Sequence, residues 1–128
     1  MNTYLLSVGW WNLIGSFLML GFLNTVFANK VLVTWTGIFK KELTSNYYTK
    51  LFIGWAVGLN IIFALINIMA AKWNFIELKS FMIWVDIISY ILFIGLTFWG
   101  IITKNCSSGI YVAILIFGVW IGWGLSVI

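Results

Sequence analysis

Four apolar runs, each long enough to cross a lipid bilayer, set the limits on what this chain can fold into. They cover residues 4–28, 51–71, 81–102 and 109–128, and Asp86 is the one charged side chain inside them. A helix of about 20 apolar residues rises about 30 Å, the thickness of a hydrocarbon core. The chain carries seven Lys and three acids in 128 residues, and all of them except Asp86 sit in the connections between runs. With 8% charged residues and a mean hydropathy of +1.09, the composition lies far from that of soluble domains, where about 25% of residues are charged. The sequence therefore predicts an all-α integral membrane protein. Residues 1–128 would form one membrane domain, a four-transmembrane-helix bundle surrounded by the lipid bilayer.

The first run lacks the basic leader and short apolar core of a cleavable signal peptide, so it is expected to remain as a helix. Between the first and second runs, residues 30–43 place Val31, Leu32, Trp35, Ile38, Phe39 and Leu43 on one stripe, with Lys30, Lys40, Lys41 and Glu42 near its ends. That pattern fits either a short interfacial helix lying in the membrane plane or a loop segment packed on the bundle. The connection KWNFIELKS, residues 72–80, reads as a short solvated loop carrying Glu77. Gly54 and Gly58 in the second run, and Gly118 and Gly122 in the fourth, are small-xxx-small pairs of the kind that let membrane helices approach closely. Asn60 and Asn67 stack two turns apart on one face of the second run and need partners there.

Topology follows from the lysines. The connection between runs one and two holds Lys30, Lys40, Lys41 and Lys50, and the turn between runs three and four holds Lys104; the remaining connection holds Lys72 and Lys79. The positive-inside rule puts both termini on the outer side. The lack of Arg and Gln, with abundant Ile, Phe, Asn and Lys, indicates an AT-rich genome, so a bacterial inner membrane or an organellar membrane is expected. The net charge of +4 flanks hydrophobic spans rather than forming a basic patch, and no nucleic-acid partner is expected.

A carboxylate facing lipid costs about 2.5–3.5 kcal/mol at the bilayer centre, so Asp86 should turn inward. In this orientation Asp86, Asn67 and Asn12 share the outer half of the bilayer with Trp84 and several other indoles, and Tyr90 lies one turn deeper. Asn and Asp at such positions serve either as hydrogen-bond glue between helices or as ligand contacts. Lys79, one heptad before Asp86 on the same face, is the nearest candidate counter-charge.

The chain has no His and a single Cys, Cys106, which excludes His- or Cys-based metal, haem and iron–sulfur sites as well as Ser–His and Cys–His nucleophile pairs. No cofactor or metal is expected. An intramembrane enzyme would have to rely on Glu77, Asp86 and Tyr90, the weakest of the readings. The leading expectation is a non-catalytic membrane subunit or scaffold that forms a homo-oligomer or a hetero-complex with other membrane proteins or lipids. The alternative is a binder or transporter of a small cationic or amphipathic molecule. There Asp86 would neutralise the ligand or exchange a proton for it, Trp84 would supply cation–π contact, and Asn12, Asn67 and Tyr90 would orient it.

Overall fold

A computed structural model describes residues 1–22, 47–103 and 110–128, with side chains described for 1–18, 54–103 and 111–128. The described residues form four helices and no strands: α1 (Asn2–Phe22), α2 (Tyr47–Ala70), α3 (Ile76–Ile102) and α4 (Ile110–Val127). The stretch 30–43 lies outside the described residues. Among them, α3 is the one helix long and apolar enough to cross a membrane; the apolar stretches Gly54–Ala70 and Tyr111–Val127 are shorter.

The helix borders differ from the sequence expectation most at α3, which starts at Ile76 rather than 81. Residues 76–80 are helical, so Glu77 occupies the first turn of α3 instead of a loop. The reason is local: IELKS contains no Gly or Pro, and an acid in the first turn complements the positive end of the helix dipole. The loop is correspondingly tight. Lys72 N donates to Met69 O at 2.9 Å and Trp73 N to Ala70 O at 3.1 Å, which satisfies carbonyls at the end of α2. At the far end of α3, the Thr103 hydroxyl donates to Trp99 O at 2.9 Å.

Packing pairs α1 with α2 and α3 with α4, and the two hairpins meet through α1, α2 and α3 on one side and α1 and α4 on the other. Two glycines make the close approaches. A Cβ on Gly9 would stand 2.6 Å from Ile68 Cγ1 and 2.9 Å from the Ala64 carbonyl, so α1 lies almost on the α2 backbone there. A Cβ on Gly124 would stand 3.0 Å from both the Tyr4 hydroxyl and Ile87 Cγ1. Among the described residues, nothing lies within 4 Å of where a Cβ would sit on Gly54, Gly58, Gly118 or Gly122, so none of the described helices packs closely on these pairs. The α1–α2 seam instead runs along the face of α2 that carries Ala64, Asn67 and Ile68.

The core lies toward the end where α1 begins and α2 and α4 finish. Tyr4, Leu5 and Val8 of α1 meet Ala70 and Ala71 at the end of α2 and Met82, Ile83, Ile87 and Tyr90 of α3. On α3 the buried positions Lys79, Met82, Ile83, Asp86, Ile87, Tyr90 and Thr97 recur at steps of three and four, a single inward stripe. Aromatic rings close this end. Tyr4 meets Trp123 edge-on at 5.6 Å and Trp120 at 6.3 Å, and the two indoles stack at 5.5 Å.

Candidate functional site

The inward stripe of α3 meets amides from both neighbouring helices. Asp86 sits opposite Asn67, whose Nδ2 donates to Asp86 Oδ1 at 2.8 Å, a fully buried bond joining α2 to α3. One turn along, the Asn12 Nδ2 donates to the Tyr90 hydroxyl at 3.3 Å, joining α1 to α3. Two turns before Asn67 on α2, the Asn60 Nδ2 donates to Ser16 Oγ at 2.9 Å and to the Asn12 carbonyl at 3.4 Å, joining α2 to α1. The short contacts at Asp86 and Ser16 bind more firmly than the two at 3.3 and 3.4 Å. Hydrogen bonds thus tie α1, α2 and α3 together pairwise.

Asn12, Asn60, Asn67, Asp86 and Tyr90 therefore converge on one internal seam. Trp84 does not join them. Two residues before Asp86 on a helix means about 200° of rotation, and the Trp84 ring is 46% exposed on the outer face of α3. Lys79 is buried on the Asp86 stripe but forms no ion pair with it; among the described residues, nothing basic pairs with Asp86. Tyr90 packs face to face on Phe117 of α4 at 5.0 Å, which holds its hydroxyl toward Asn12.

The residue that sequence reasoning missed is Tyr4. It reads as the first position of an apolar run, yet it shares a stripe with Val8 and Asn12 at four-residue steps, and that spacing was the available signal. Its ring is completely buried, ringed by Trp120, Trp123 and the bare backbone of Gly124. Gly124 was missed as well, because nothing in the fourth run distinguishes it from Gly118 and Gly122 except what faces it.

Among the described residues, three buried polar atoms have no hydrogen-bond partner: Tyr4 Oη, Asn67 Oδ1 and Asp86 Oδ2. They belong to side chains that are 0%, 0% and 6% exposed. An unsatisfied buried donor or acceptor costs about 1–3 kcal/mol, so three at one end of a bundle call for an occupant. Tyr4 belongs to the same buried cluster as Ile87 and Tyr90, and Asp86 immediately precedes Ile87 on the inward stripe of α3. Among the described residues, no group of three His, Cys, Asp or Glu side chains could hold a metal ion. What the arrangement can do chemically is accept: it presents oxygen atoms and one carboxyl group inside an apolar shell.

Comparison with protein-family models, with curated proteins and with solved structures finds no match to this chain.

Proposed function

We propose that the chain is a non-catalytic multi-pass membrane protein, a subunit or scaffold whose four helices cross the bilayer and associate with a second copy or with other membrane proteins. The observation that carries this reading is the inversion of polarity. Asn67, Asp86, Thr97 and Ser16 are buried, whereas Phe81, Ile88, Leu92, Leu96 and Trp99 of α3 and Leu115 and Val119 of α4 are exposed. In water that arrangement is unfavourable on both counts; in lipid it is what burial of polar groups requires. Helices of 21, 24, 27 and 18 residues rise about 27–40 Å, which suits spans with some tilt. Both termini are placed outside by the lysine distribution, and a bacterial inner or organellar membrane is the setting that composition favours.

Association is supported by the outward glycines. Gly118 and Gly122 are exposed on α4 beside Leu115 and Val119, with nothing within 4 Å of their Cβ positions, a surface on which another helix can lie closely. The test is purification in native lipid, with mass spectrometry of the assembly, of the wild type and of a Gly118→Leu/Gly122→Leu variant. The wild type is expected as a homo-oligomer or with a stoichiometric partner protein, and the variant as a monomer of unchanged thermal stability. A wild type that is monomeric and partnerless in lipid refutes the proposal.

A second reading, a binder or transporter of a small cationic molecule around Asp86, is favoured by the three unpartnered oxygens of Tyr4, Asn67 and Asp86. Asn12 and Tyr90 would support that site from the next turn, and Trp84, which faces outward, would take no part.

A further inference from the structure

We propose that Tyr4, Asn67 and Asp86 form a binding site for a single small monovalent cation, which narrows the second reading above to a bare inorganic ion and rests on it. The ligand atoms come from three helices, Oη from α1, Oδ1 from α2 and Oδ2 from α3, and each belongs to a side chain at least nine-tenths buried.

The orientation of the amide is dictated by its partner. Asp86 Oδ1 receives a hydrogen bond at 2.8 Å, so the Asn67 atom facing it is the donating nitrogen, and the carbonyl oxygen is left to serve something else. All three unpartnered atoms are oxygens, which suits a hard cation and not a thiophilic or imidazole-seeking one. One carboxyl group balances one positive charge.

Among the described residues, no protein cation pairs with that carboxyl group. The basic groups nearest in the chain are Lys79 on α3, Lys72 just past α2 and the amino group of Met1, which packs against the Tyr4 cluster, and none of them pairs with Asp86; α1 and α4 contain no charged side chain, and the other titratable groups on the packed faces are the phenols of Tyr4 and Tyr90. A buried charge without a partner is strongly unfavourable, and an alkali ion provides one at small volume. Size disfavours substituted amines, because the three oxygen atoms are themselves closed off, with almost no open surface beside them. Gly124 leaves the Tyr4 hydroxyl its place, since a Cβ there would touch it at 3.0 Å.

The proposal is tested by thermal unfolding of the purified full chain in lipid nanodiscs at constant ionic strength. Sodium, lithium, potassium and tetramethylammonium chlorides are titrated against N-methylglucamine chloride. A saturable rise in Tm with sodium or lithium, absent in Asp86→Asn and shifted to about tenfold higher concentration in Tyr4→Phe, is the expected result. Asp86→Asn keeps the size and the acceptor that Asn67 bonds; should it fail to fold, Tyr4→Phe and the ion series on the wild type decide alone. An equal rise with tetramethylammonium would overturn the inorganic ion while leaving a cation binder standing. No rise with any cation would overturn both, and would assign the three oxygens to a proton or a trapped water.

Discussion

Among the described residues, the Asn67–Asp86 bond is the one interhelical side-chain contact in which both partners are buried and the distance is short, so it should govern the stability of this end. Removing one partner leaves the other desolvated and unpaired, which costs about 1.5–3 kcal/mol when the acceptor is a carboxyl group. Asn67→Leu is therefore expected to lower the unfolding free energy by that amount, and Asp86→Leu by a similar one, because the Asn67 amide then loses its acceptor. The double replacement Asn67→Leu/Asp86→Leu should recover most of the loss, since two apolar side chains satisfy one another. Equilibrium unfolding in mixed micelles gives the coupling energy directly. Additive losses would mean that the 2.8 Å contact carries no net stability. The same residues show what could be read from composition and spacing. A lone acid in an apolar run had to turn inward, and amides seven apart on α2 had to share a face. That Asn67, and not Lys79 or Trp84, meets Asp86 depends on the rotation of α3 against α2, which no spacing within one helix encodes.

At the scale of the helices, the close contacts choose their own glycines. Gly9 sits against the Ala64 carbonyl and Ile68, while Gly15, two turns on in the same helix, has nothing within 4 Å of a Cβ position. Gly9→Ala must push α1 off the α2 backbone, for which a cost of about 1–3 kcal/mol is expected. Gly15→Ala meets no such obstacle and should gain up to about 1 kcal/mol from better helix propensity. Thermal unfolding of the two variants side by side checks this; equal effects would show that the α1–α2 seam is not held at Gly9. The four helices were legible because apolar runs bounded by lysines and polar turns have few other solutions. Their partners were not. A glycine pair four apart marks a surface that permits close packing, and whether that surface faces a neighbour in the same chain or beyond it is decided by the other helices. The early start of α3 was missed for a different reason: charged residues beside an apolar run look like a loop, although Ile76–Ser80 has good helix propensity and an acid where the dipole wants one.

For the whole molecule, the contacts of Tyr4 with Trp120, Trp123 and Gly124 put the start of α1 and the end of α4 together, and Asn67 brings the end of α2 to the same level. The connection that carries Cys106 joins the opposite ends of α3 and α4. If the bundle spans a bilayer, residues 2 and 106 must then face different compartments, and the lysine bias assigns residue 106 to the inner one. Cys106 is the single cysteine in the chain, so the experiment needs no background removal. A membrane-impermeant maleimide is expected to label Cys106 in inverted vesicles and to leave it untouched in right-side-out ones. In an Asn2→Cys/Cys106→Ser variant the pattern should reverse, Asn2 being exposed at the start of α1. Labelling of both positions from one side would remove the membrane-spanning bundle altogether. A clean exchange of the two patterns would keep the bundle and invert its orientation, showing that the few extra lysines of the first and third connections do not set the topology.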